Sequence, residues 1–184
     1  MHLHAPFRAA LWLLLSWTGW ISCAMPASAQ SENADQEQIR AAMLFNLTRF
    51  IDWPPNRISD LQKPFQVCYL GDVAFGASLS TAFRGKQING HAVAVANIST
   101  PAQAEQCHLL YVPSSERKTF RTLSPNLSRA SVLTISERQL GDPGVMIGLP
   151  LIDNHIQIQV DLHLAQSSSL TISSKLLRIA AVTH

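Results

Sequence analysis

Three short apolar runs set the strongest constraint on this chain: FQVCYLG (65–71), HLLYVP (108–113) and SVLTIS (131–136). Each is too short for a core helix and is followed by Gly, Pro or a polar turn. Their apolar character is nearly continuous rather than alternating, which is the pattern of strands buried on both faces. Segments of helical character separate them. VAFGASLSTAFR (73–84) ends at Gly85, PAQAEQ (101–106) is a short helix or turn, and RKTFRTL (117–123) runs into a Pro125-Asn126 turn. AVAVANI (92–98) adds a further strand. Strands alternating with helices imply an α/β domain with helices on both faces of the sheet.

The later part changes character. GDPG (141–144) is turn chemistry. VMIGLPL (145–151) and IQIQV (156–160) flank Asp153-Asn154 and read as a hairpin, with IQIQV alternating like a half-solvated strand. Ser173-Ser174 then precede LLRIAAV (176–182), which reads as a serine-capped C-terminal helix. The expected architecture is one three-layer α/β domain with a mixed sheet.

The start of the chain reads as a processing signal. Arg8 is the only charge before Glu32, residues 9–25 are almost wholly apolar, and Ala27-Ser28-Ala29 forms a small-residue cleavage motif. It is expected to be a secretory signal peptide over 1–29, with the domain over 30–184, the alternative being a retained N-terminal anchor. Cleavage would remove 29 of 184 residues and leave 155, the size of one domain. Without Arg8, thirteen Lys and Arg face twelve Asp and Glu, a net charge of +1. So even a balance argues against a nucleic-acid partner.

Export places Cys68 and Cys107 in an oxidising compartment, where they either form a bridge or pack as two separate thiols. A bridge would be worth about 4 kcal/mol by chain entropy.

Catalytic constellations are hard to find. His91, His108, His155, His163 and His184 show no metal-ligand spacing, and there is no nucleophile elbow, P-loop or dinucleotide fingerprint. Asp142 and Asp153 sit in turns. The sequence is read as a non-enzyme with no cofactor and no metal.

LFNLTRFIDWPP (44–55) is the segment with most to explain. A helix is expected over about 37–52, stopped because the residue before Pro54 is pushed out of the α region. At ~100° per residue, Ile39, Met43, Leu44, Leu47, Phe50, Ile51 and Trp53 share one arc, a core-facing stripe. Asn46 falls inside that arc, so it is expected to be a buried hydrogen-bonded tie to the loop after Trp53-Pro54. Phe45 falls among Thr48, Arg49 and Asp52. It is expected either to be covered by another part of the chain or, with Arg49, to offer a surface for a partner or a second copy.

The same residues carry a resemblance. LFNLTRFIDWP, FQVCYLG, QCHLLYVP (106–113), VLTISE (132–137), GVMIGL (144–149) and the closing IQIQVDLHLAQSSSLTISSKLLRIA (156–180) resemble, in order, the YfiR-like periplasmic regulators. The resemblance implies a periplasmic protein that binds and represses an inner-membrane signalling protein, a diguanylate cyclase above all or a receptor kinase. It also implies dimer formation and a family disulfide at Cys68 and Cys107. The chain departs from the family at three places. A second cysteine pair found in some members near Leu140–Gly148 is absent, Val145 stands for a glycine, and Asp161 stands for an asparagine. The alternative is a periplasmic small-molecule sensor, with a pocket lined by Trp53 and Phe65.

Overall fold

The computed structural model describes residues 27–71 and 73–183. The apolar run of the expected signal peptide lies outside the described residues. Helix α1 (Ala27–Thr48) leads into β1 (Ile51–Asp52) and the short α2 (Pro55–Ile58). There follow β2 (Phe65–Tyr69), α3 (Val73–Phe83), β3 (Gln87–Ile88), β4 (His91–Asn97), α4 (Pro101–Gln106), β5 (Leu109–Val112), α5 (Arg117–Leu123) and β6 (Leu133–Ser136). The last third holds β7 (Ile147–Gly148), β8 (Leu151–Ile152), β9 (His155–Ile156), β10 (Gln159–Asp161), α6 (Leu162–Ser167), β11 (Thr171–Ile172), α7 (Ser174–Leu177) and β12 (Ala181–Thr183).

Eight strands form one mixed sheet in the order β12-β10-β7-β6-β5-β2-β4-β3. Strands β4, β2, β5, β6 and β7 are parallel, while β3 and β10 join antiparallel. The three apolar runs are its centre. Alternate residues of each run go to opposite faces. Val67, Leu109, Tyr111, Leu133 and Ile135 join the core beneath α1, α3, α6 and α7. Cys68, Leu110 and Val112 join a second core with Ala104 of α4 and Phe120 and Leu123 of α5. Both faces are covered, so the three-layer α/β architecture stands.

The chain leaves β2 for β4 on one side, then returns across to β5 on the other. The strand order therefore reverses between β2 and β5. In open α/β sheets a crevice opens at such a point, beyond the carboxyl ends of the strands.

Three expectations need correction. First, α1 stops at Thr48, because Arg49 and Phe50 close a turn onto Asn46 and Leu47 carbonyls and Ile51–Asp52 then pair with β11. Phe50, Ile51 and Trp53 thus have no place on the helical wheel. Without them the buried stripe is Ala41, Leu44, Leu47 and Thr48, roughly a third of the way round the helix at 3.6 residues per turn. Ile39 is 56% exposed and Asn46 is exposed, so Asn46 is not a buried tie. Thr48 is the buried polar residue here, and its hydroxyl bonds back to the Phe45 carbonyl at 2.6 Å.

Second, the loop expected after Trp53-Pro54 opens with a helical turn, Pro55–Ile58. Third, the C-terminal helix is a single turn, α7, capped by the Ser173 hydroxyl accepting from the Lys175 N–H. Residues 181–183 form instead an edge strand parallel to β10. An unpaired strand edge offers backbone partners that a short, partly β-branched tail satisfies better than a solvated helix. The hairpin stands: Asp153 and Asn154 both adopt positive φ, as a two-residue turn of that twist requires.

Candidate functional site

The Trp53-Pro54-Pro55 stop builds a corner at the amino ends of the parallel strands. Pro54 is extended and Pro55 starts α2, which needs no N–H at that position. The Trp53 indole N–H donates to the His108 carbonyl at 3.1 Å, and its ring meets Phe65 edge-on. Phe65 stacks in turn on the His108 ring at 4.5 Å. Both aromatic residues are buried, and neither lines the hollow at this corner.

Helix α2 delivers Arg57. Its guanidinium donates to the Cys107 carbonyl at 2.6 Å, at the end of α4, where a cation is favoured. Cys107 is joined to Cys68 by a disulfide with the Cα atoms 5.9 Å apart. This ties α4 to β2 beneath the second core.

The two buried histidines complete the corner. His108 Nδ1 accepts from the Gln66 N–H at 2.9 Å, while its Nε2 lies 2.9 Å from the Arg57 carbonyl and must donate. That pattern selects the neutral ring protonated at Nε2. Burial lowers the His108 pKa, as do the charges of Arg57 and His91, against the raising effect of the Arg57 carbonyl bond. His91 has both ring nitrogens against carbonyls, Lys63 at 2.9 Å and Ile58 at 3.0 Å. These groups border a hollow of about 460 Å3 lined also by Asn56, Asp60, Lys63 and Gln106.

At the opposite, carboxyl edge lies the crevice that the strand reversal predicts. It encloses about 270 Å3 between Arg40 of α1, Phe75 of α3, Tyr111, Ser114 and Glu137. Glu137 accepts from Arg40 at 3.1 Å, from the Tyr111 hydroxyl at 3.1 Å and from the Ser114 N–H at 2.8 Å. Burial alone would raise the Glu137 pKa. Hydrogen bonds from Ser114, the Arg40 charge and the Tyr111 bond outweigh it and leave the pKa lowered. Tyr111 is pushed far up, by burial first and by the facing carboxylate second. At neutral pH the site is therefore a carboxylate, a guanidinium and a neutral phenol, which suits holding rather than proton transfer.

The residues singled out in the sequence are not brought together. Trp53, Pro54, Cys68 and Cys107 surround the amino-end corner, whereas Asn46 and Arg49 are exposed on α1 and just after it. Phe45 is half-buried: it meets Phe83 of α3 edge-on at 5.5 Å, and Lys86 Nζ sits 5.4 Å over its ring. It is thus covered from within the chain. Asp161 caps α6 by accepting from the Leu164 N–H at 2.8 Å, a role asparagine fills equally. Sequence reasoning missed Arg57, Arg40, Tyr111 and Glu137. The available signals were an arginine inside an apolar helix pattern and a glutamate placed directly after a buried strand.

Among the described residues, no three metal-ligating side chains converge, and no helix is long and apolar enough to cross a membrane. Fold and site together define a doubly wound α/β domain with polar hollows at both ends of its parallel strands. The chain belongs to the YfiR/HmsC-like family, whose model matches residues 37–181. That family is regulatory rather than catalytic, is periplasmic, and acts in cyclic di-GMP signalling. Among curated proteins, none matches the sequence.

Proposed function

We propose that this chain is exported, cleaved after Ala29, and acts in the periplasm as a non-enzymatic repressor. Its partner is the periplasmic part of an inner-membrane signalling protein, a diguanylate cyclase first and a receptor kinase second. The observation that carries this reading is the family match across residues 37–181, nearly the whole expected domain. The three-way anchoring of Glu137 and the Cys68–Cys107 bridge support it by making a rigid docking body rather than a reaction site.

The test is capture of membrane partners on the mature protein, with and without reductant, alongside cellular cyclic di-GMP in a deletion strain. Recovery of a cyclase and a rise in cyclic di-GMP on deletion are expected. Capture of no signalling protein under either condition, with unchanged cyclic di-GMP, overturns the reading.

One observation favours a second reading, a small-molecule sensor. The hollow beside Arg57, His91 and His108 is a polar recess of about 460 Å3, within the size range of ligand sites. A thermal-shift screen across metabolites separates the two, since a sensor is stabilised by its ligand with no partner present.

A further inference from the structure

Asp142, in the GDPG turn after β6, has a side chain only 9% exposed and is ringed by arginines. Arg117 of α5 is in close ion-pair contact with it. Arg121, one turn on, stands 3.9 Å away, and Arg138, from the segment after β6, stands 3.7 Å away. Two separate elements thus bring three cations to one carboxylate.

The arrangement leaves donors over. Arg117 alone is in close contact with Asp142, and even there the Asp142 Oδ1 is buried without a hydrogen-bond partner, so the contact is one of charge. The distances of Arg121 and Arg138 exceed those of hydrogen bonds, so Asp142 holds them by charge without using their N–H groups. Among the described residues neither guanidinium makes a hydrogen bond, and both side chains are about half exposed. The Arg117 Nε is buried and also has no partner there.

The adjacent carboxylates do not make up the deficit. Glu116 accepts from the Thr119 hydroxyl, and Glu137 is taken by Arg40, Tyr111 and Ser114. Arg117 and Arg138 border an open polar hollow of about 590 Å3 that also includes Ser114, Gly141 and Asp142 itself, and Arg121 joins them through Asp142.

We propose that Arg117, Arg121 and Arg138, gathered by Asp142, form a binding site for a doubly charged oxyanion of the phosphate class. Guanidinium groups match such oxygens in pairs, and two of the three have all their donors unspent. A single chloride-like charge would use only part of this excess, so phosphate is preferred over chloride. The oxygens come either from a soluble phosphate or from a phospholipid headgroup. The inference does not rest on the regulator reading, because any role for the domain leaves the same charges at the same place.

The test titrates inorganic phosphate into the purified protein at constant ionic strength with chloride as the balance, read by amide chemical shifts and by melting temperature. Phosphate should shift the amides of 114–121 and 138–144 and raise the melting temperature. The double variant Arg121→Gln/Arg138→Gln should weaken binding by about tenfold or more. Arg129→Gln should bind as the parent does, since Arg129 pairs with Asn126 outside this hollow. Circular dichroism of each variant in phosphate-free buffer separates lost binding from lost folding.

Vesicles of phosphatidylglycerol and of phosphatidylcholine then identify the source. Retention on the anionic vesicles, lost in the double variant, assigns the oxyanion to a headgroup. Phosphate binding without retention assigns it to a soluble ligand. Absence of both phosphate binding and retention overturns the proposal, as does equal binding by parent and double variant.

Discussion

One buried and one half-buried side chain make the protein's response to acid predictable. His108 is built into its corner as a neutral ring: protonating Nδ1 would set a new N–H against the Gln66 N–H. Its folded pKa is lowered, so the unfolded chain takes up the proton first. The stability tied to this group is therefore full above about pH 6.5, the ordinary histidine value, and declines as pH falls through that value toward the lowered folded one. Urea melts between pH 7.5 and 5 should show this slope. His108→Gln, which keeps one donor and one acceptor, should flatten it, and an unchanged slope in that variant would contradict the assignment. Glu137 works lower on the scale. Its folded pKa is also lowered, so its contribution is present above the ordinary glutamate range and is lost as pH falls below it. Glu137→Gln leaves Arg40 facing a neutral amide, at a cost of about 1–3 kcal/mol.

At the scale of elements, α1 is held to the sheet by two different means. Its apolar stripe of Ala41, Leu44 and Leu47 packs over α3 and the sheet, and Arg40 reaches across to Glu137. Hydrogen exchange should therefore quicken along α1 in Glu137→Gln while β2, β5 and β6 keep their protection. Equal loss of protection in the central strands would mean that the ion pair supports the whole fold rather than the helix. The strand pair β7–β10 depends on a glycine for steric reasons. A Cβ on Gly148 would come 2.6 Å from the Arg138 carbonyl oxygen, a backbone atom that cannot swing aside. Gly148→Ala should cost more than about 1 kcal/mol, the range in which overpacking strain lies. It should also displace the 138–140 segment, whose Leu140 N–H bonds to Gln159 beside it. A melting temperature equal to the parent's would show that this crossing is looser than it looks.

For the whole molecule, the Cys68–Cys107 bridge is the covalent constraint on its second core. It spans a sequence separation of 39, for which chain entropy gives about 4 kcal/mol. Reduction, or Cys68→Ala/Cys107→Ala, should lower the melting temperature by roughly 10 °C. Both sulfurs lie among Leu70, Leu110 and Val112, so alanines there also leave a small void, and the reduced parent is the cleaner comparison. A melting point indifferent to reductant would mean that packing alone holds α4 against β2.

The order of elements was legible in the sequence because local chemistry sets it. Buried strands announce themselves as FQVCY, LLYV and LTIS, and Asp153-Asn154 and Pro54-Pro55 dictate their turns by backbone preference alone. The family resemblance followed the same ordered runs. What the tertiary structure alone decided concerns residues far apart in the chain. The buried face of α1 could not be read from apolarity, since the helix ends at Thr48 and the residues beyond it answer to β11 and His108. The last residues became a strand because β10 offered an open edge. Arg40 meets Glu137 across 97 positions and Arg57 meets Cys107 across 50. Three arginines likewise meet at Asp142 only because α5 and the turn after β6 close on one another. Local propensity carries no record of such meetings, since they are set by how the two covered faces of the sheet pack.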